Sequence, residues 1–246
     1  CYCGRAGRMT QANRINGGLI DRGQPLGFRF NGQPHAGFAG DTLASALLAN
    51  NQKVIGRSFK YHRPRGIFSA GSEEPNALVQ LRNGAYQEPN TRATVVELFD
   101  GLEAKSQNHH GPLAFDLMAI NDLFSPFLTA GFYYKTFMWP ATLWPTYEHF
   151  IRRMAGLGRA ASVSDPDRYD KQYAHCDVLV IGGGPTGLSA AQLASRSGAR
   201  VILSDEGLEM GGSLLGNNQF INDAAAMIWV AGVLEELKKN KNVTLL

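Results

Sequence analysis

The chain has 246 residues, 44% hydrophobic and 18% charged, with a net charge of +3. This is the composition of an ordinary globular protein, long enough for one or two domains, and it excludes a low-complexity or disordered chain. The small charge gives no reason to expect nucleic acid or a membrane surface as partner, and no run reaches the ~18 apolar residues of a membrane span.

Residues 1–22 are rich in glycine and arginine and read as a tail, with Met9 as a natural start. No secretory signal pattern is present, so a cytoplasmic location is expected. Cys1-x-Cys3 lacks the second pair that a zinc or iron–sulfur site needs, so no metal site is expected. From Pro25 the pattern turns regular. Leu26-Gly-Phe28-Arg-Phe30 alternates as a strand, Asn31-Gly32 signals a hairpin, and Pro34–Ala39 returns. Asp41 is the expected N-cap of an apolar helix, Thr42–Ala49. Strands are expected at Ala77–Leu81 and Thr91–Leu98. Together these predict an α+β domain of β-grasp type over 23–105.

Lys53, Arg57, Lys60, Arg63 and Arg65 lie in a stretch between Asp41 and Glu73 that holds no acidic residue. It could meet an anionic group or an acidic partner, or be a solvated loop. His109-His110 has no metal-ligand companion at a usable spacing and reads as loop. Residues 106–170 form a connecting segment, aromatic from Phe124 to Phe150, with a helix expected at Tyr147–Leu157; a packing surface is the expectation for it.

Residues 171–246 change character. Val178–Ile181 is a hydrophobic strand, and Gly182-x-Gly184-x-x-Gly187 follows it directly, with Pro185 and Thr186 inside the motif and an Ala/Leu-rich helix beyond. Such a turn lets a pyrophosphate approach the backbone at a helix N-terminus. Cys176, at the mouth of that strand, reads as a small buried filler. A second strand, Ala199–Ser204, ends in Asp205-Glu206, near the ~20-residue distance expected for the acidic group that holds a ribose. Asp205 is the first choice for that role and Glu206 the second. A helix at 221–239 and a strand at Asn242–Leu246 complete an α/β unit. It amounts to an incomplete Rossmann-type dinucleotide-binding domain, so a longer polypeptide is expected. No nucleophile elbow, catalytic triad or carboxylate dyad is visible, and no catalytic residue is assigned.

The runs Gly40–Asn50, Gly56–Gly66, Glu74–Gln80, Ala130–Pro140, Tyr173–Val180 and Gly211–Leu215 resemble the α subunits of heterotetrameric sarcosine oxidases. The resemblance spans Met9 to Leu246 and implies a fragment of a longer subunit whose first domain is a ferredoxin-like fold without its cluster. The resemblance puts Ser69, Glu74, Ala77 and Thr94 at the positions of the cluster cysteines, and none of them supplies a thiolate. Spacing alone, with Gly211-Gly212 downstream, suggests FAD at the glycine turn. The resemblance instead implies NAD+ on Gly182, Gly184, Pro185, Thr186, Gly187 and Asp205, with FAD as the alternative.

The same resemblance implies oxidative demethylation of sarcosine to glycine with hydrogen peroxide, the one-carbon unit leaving as formaldehyde or on tetrahydrofolate. It implies β, γ and δ partner subunits, with FAD and FMN held in the complete enzyme. The fragment alone is expected to be inactive. Two other readings remain open: a subunit of a related opine- or cyanide-forming oxidoreductase, and an assembly module with a vestigial nucleotide site.

Overall fold

The computed structural model describes residues 11, 13–15, 20–126, 130–131, 139–154, 158–207, 209–216 and 218–246. Cys1, Cys3, Met9 and most of the central aromatic run, 132–138, lie outside the described residues. The chain divides into two compact units, Cys1–Pro166 and Asp167–Leu246.

In the first unit β1 (Asp21–Phe30) and β2 (Gln33–Ala39) pair antiparallel. They turn at Asn31 and Gly32, both at positive φ, as the hairpin signal requires. The sheet continues through β5 (Leu78–Leu81), β6 (Glu88–Arg92) and β7 (Leu102–Ser106), in the order β2-β1-β7-β5-β6. A separate two-residue pair, β3 (Gly56–Arg57) with β4 (Pro64–Arg65), pins the basic loop. The central β1 and β7 run parallel, Phe28 facing Leu102 and Phe30 facing Ala104. Helix α1 (Leu43–Ala49) lays Leu43, Ala46 and Leu47 on the sheet, against Phe28, Phe30, Val79 and Leu102.

Three expectations change here. The N-cap is Thr42, not Asp41: the Thr42 hydroxyl accepts from the Ser45 N–H at 3.2 Å while the Ser45 hydroxyl accepts from the Thr42 N–H at 3.0 Å, a capping box. Asp41 is instead fully buried and accepts from the Phe38 N–H at 2.9 Å, the Ser45 hydroxyl at 2.6 Å and the Arg14 guanidinium at 2.7 and 3.1 Å. Arg14 is therefore held against the first unit. The strand expected at 91–98 stops at Arg92, because the following residues serve α1. The Ala93 and Val96 carbonyls accept the Ala44 and Leu43 N–H groups, which have no partner inside the helix. The strand at Leu102–Ser106 was not expected, although Leu102 and Ala104 are buried and Glu103 and Lys105 exposed in clean alternation.

Beyond the sheet, a 3₁₀ run (Leu117–Phe124) and α2 (Trp144–Met154) belong to the same unit. The α2 helix starts three residues before its expected beginning, and positions 155–157 of the expected helix lie outside the described residues.

The second unit holds three parallel strands, β8 (Val178–Ile181), β9 (Val201–Ser204) and β12 (Val243–Leu245), in the order β12-β9-β8. Helices α3 (Pro185–Arg196) and α4 (Ala226–Lys239) connect them and bury Leu188, Ala191, Val230, Val233 and Leu237 with Val201 and Leu203. They also meet one another through Arg196 and Glu236 at 2.7 Å. Val178 and Val180 face that core, while Leu179 and Ile181 point away and are 56% and 82% exposed. A short hairpin, β10 (Phe220–Ile221) with β11 (Ala224–Ala225), turns through Asn222 and Asp223 at positive φ. Helix α4 therefore begins at Ala226 rather than at 221. No helix among the described residues is long and apolar enough to cross a membrane.

Candidate functional site

The most complete constellation lies where β8 meets α3. The Gly182 N–H donates to the Ser204 carbonyl at 2.7 Å, tying the end of β8 to the end of β9. Gly182 then turns the chain at φ 104°, a conformation that side chains disfavour. Gly184 is the N-cap of α3, Pro185 follows at its first position, and no side chain caps the end. Proline has no N–H to lose there, and the remaining N–H groups of the first turn point outward with the positive end of the helix dipole.

Close packing requires Gly187. A Cβ there would lie 1.8 Å from the Gly182 carbonyl oxygen, a collision with backbone. At Gly184 a Cβ would meet nothing nearer than the Gly212 Cα at 3.9 Å, so the turn itself leaves open the space that a phosphate would take. These features fit a dinucleotide pyrophosphate. Thr186 is exposed beside them.

Asp205, at the end of β9, reaches the same turn: its Oδ2 accepts the Gly183 N–H and its Oδ1 accepts the Gly207 N–H at 2.6 Å. Glu206 is exposed. The Gly211-Gly212 pair, noted in sequence only as a flavour of FAD, packs on the motif: the Gly211 N–H donates to the Gly183 carbonyl at 2.9 Å. A Cβ on Gly212 would approach the Gly184 Cα to 2.8 Å. The free Cys176 is half-buried at the start of this unit.

In the first unit Ser69, Glu74, Ala77 and Thr94, the four residues that the family resemblance puts in place of cluster cysteines, are linked around one loop. Glu74 is fully buried, and its carboxylate accepts N–H groups from Phe68 and Ser69 on one oxygen and from Asn76 and Ala77 on the other. Thr94 ties in through the Gly71 carbonyl at 2.7 Å. No cysteine occurs anywhere between 23 and 109. An iron–sulfur cluster does not fit these residues, and no group of three or more metal-ligating side chains forms among the described residues.

The basic loop is partly consumed by structure. The Arg57 guanidinium donates to the Leu113, Ala114 and His62 carbonyls, and Arg63 pairs with Asp122 at 2.6 Å. His109 bonds Ser106 and the Gly111 carbonyl, as a loop residue would. A further pair carries no short-range sequence signal. His62 and Asp116, 54 residues apart, are both buried, with Nδ1 and Oδ2 2.6 Å apart.

Comparison with known proteins follows this division. Residues 23–109 match the family described as "2Fe-2S iron-sulfur cluster binding domain", and residues 177–241 match "FAD dependent oxidoreductase". Over 93% of its length the chain is 60% identical to the sarcosine oxidase subunit alpha of Rhizobium meliloti (strain 1021). Over 96% it is 37% identical to that of Corynebacterium sp. (strain U-96). It covers 23% and 20% of those two proteins, about a fifth to a quarter of their length. Among solved structures, the L-proline dehydrogenase from P. horikoshii superimposes with a TM-score of 0.50 over 92% of this chain and 33% of that one. At 18% identity that likeness concerns the fold alone. The first family match agrees with the sheet and helix of the first unit, and its cluster has no ligands here.

Proposed function

From a chain related over 93% of its length to the α subunits of sarcosine oxidases, we propose that this protein is the corresponding part of such a subunit and contributes a dinucleotide site in residues 171–246. The observation that carries this is the uncapped α3 N-terminus behind a glycine turn, with Asp205 at its edge. The parallel strand order β12-β9-β8 supports reading this unit as the first half of a Rossmann-type sheet. In this reading the N–H groups at the start of α3 hold the pyrophosphate, and Gly184 lets it approach. Asp205 accepts hydrogen bonds from the adenosine ribose, which compete with those it takes from Gly183 and Gly207.

NAD+ and FAD share the adenosine diphosphate portion that these residues would hold. NAD+ is our first assignment, from the family resemblance, while the similarity of residues 177–241 to FAD-dependent oxidoreductases supports FAD. A bound flavin would supply the electron acceptor for amine oxidation, and a bound nicotinamide a hydride acceptor. No residue of this chain is assigned to the amine. The same relationship supports sarcosine as substrate and β, γ and δ subunits as partners in this reading, and a cytoplasmic setting remains the expectation from the sequence.

Replacing Asp205 with alanine in the full-length subunit is expected to weaken dinucleotide binding by about tenfold or more, since charge-assisted hydrogen bonds to the ribose are lost. Equilibrium binding of NAD+ and of FAD to the nucleotide-stripped protein measures this. Unchanged affinity for both would remove Asp205 from the site. If nucleotide content and the activity of the assembled enzyme also survive, the site is vestigial and the chain is an assembly module.

A further inference from the structure

The loop from Phe68 to Ala77 is built around a charge. The Glu74 carboxylate, with no solvent exposure, accepts the Phe68 N–H at 2.7 Å and the Ser69 N–H at 2.6 Å on Oε2. On Oε1 it accepts the Asn76 N–H at 2.7 Å and the Ala77 N–H at 3.1 Å. The backbone of Glu74 closes the same ring: its N–H donates to the Gly71 carbonyl at 3.2 Å, and its carbonyl accepts from the Arg92 Nε at 3.1 Å. Backbone amides that converge on one point form an anion-binding concavity. They are also the kind of groups that hydrogen-bond the sulfurs of a cluster.

We propose that this loop is a carboxylate-binding nest filled in cis by Glu74, the side chain standing as a permanent anion where the related fold would place a cluster. Stripped of that side chain, the nest binds a small monocarboxylate from solution. The loop is then organised by hydrogen bonds to a fixed negative charge, with no electron carrier in it. Burial opposes the charge on Glu74, but the N–H groups of Ser69, Asn76, Phe68 and Ala77 outweigh it and hold its carboxyl below the ordinary glutamate value. Two charged groups adjoin the nest: Arg92, on the Glu74 carbonyl, and Glu73, whose carboxylate lies at Gly71.

The test is chemical rescue of Glu74→Ala in the full chain, with sodium formate and sodium chloride compared at equal ionic strength. Losing several charge-assisted bonds is expected to lower the thermal midpoint of the first unit by about 10 °C. Formate, and not chloride, is expected to recover about 3 °C or more by binding the folded form. If Glu74→Ala does not fold in plain buffer, formate during refolding is expected to restore it. The idea fails if formate gives no recovery in either setting, if the midpoint does not move on substitution, or if the wild-type chain purified anaerobically carries iron and sulfide.

Discussion

Gly187→Ala is expected to disrupt the second unit outright, abolishing nucleotide binding and lowering its stability by about 3 kcal/mol or more. Propensity alone gives the opposite sign, because Gly187 lies in the first turn of α3 and alanine is favoured over glycine in helices by ~1 kcal/mol. Sterics decides the outcome. The new Cβ would lie 1.8 Å from the Gly182 carbonyl oxygen, and that oxygen belongs to a turn tied to β9 through the Gly182 N–H and the Ser204 carbonyl. Neither side can yield without parting α3 from β8. Gly184→Ala separates folding from binding: its Cβ meets only ordinary contacts, so the unit should fold with near wild-type stability and yet bind dinucleotide poorly. Thermal unfolding and binding measured on both variants check the pair. A Gly187→Ala protein that folds and binds normally would contradict the close packing described for this turn.

Asp116→Ala is expected to cost the first unit about 3–5 kcal/mol, because buried donors lose the carboxylate that accepts them at ~1–3 kcal/mol each. The carboxylate accepts the His110 N–H at 2.9 Å and the Met118 N–H at 3.0 Å, and contacts the His62 ring nitrogen at 2.6 Å. Removing it strands several donors where water cannot reach them. Among the described residues the His62 Nε2 has no hydrogen-bond partner, so Asp116 is the one group that anchors the ring there. Asp116 carries a pH signature as well. Burial works against its charge, but the N–H groups of His110 and Met118 and the His62 ring prevail and hold its carboxyl below the ordinary aspartate value.

A carboxyl lowered in this way stabilises the fold fully above its unfolded value. That stabilisation is lost as pH falls through the folded value. Glu74 adds to the same acid limb. Urea unfolding followed from neutral pH down through the carboxylate range should therefore show stability falling at the acid end. The fall should be shallower in Asp116→Asn than in the wild type. A variant with wild-type stability and an unchanged acid limb would remove Asp116 from this account.

How far the sequence reveals these features follows from the range of the interactions behind them. The glycine turn is local: strand, turn and helix are consecutive, and each glycine meets a steric demand within a few residues of itself. The turn itself is therefore legible, whereas the bonds that Asp205 takes from Gly183 and Gly207 are not. Strand β7 carries visible alternation, but its place beside β1 depends on Phe28 and Leu102 meeting across the sheet. The end of β6 depends on α1 claiming the carbonyls of Ala93 and Val96. Asp41 looked like a cap because caps are short-range features. Its actual partner, Arg14, lies in a segment read as a tail. That no cysteine lies between 23 and 109 is plain from the sequence. The role of Glu74 is not, because backbone N–H groups leave no mark in residue identity. The His62–Asp116 pair spans 54 residues and is invisible for the same reason.

The central claim is that residues 171–246 hold a dinucleotide. Its most direct test is to express the full-length subunit, separate it from its partners, denature it and identify the released nucleotide by chromatography and mass. The account predicts an equimolar dinucleotide, NAD+ by our assignment, depleted in both Asp205→Ala and Gly184→Ala. A wild-type subunit that releases none, or one whose content both substitutions leave unchanged, would contradict it.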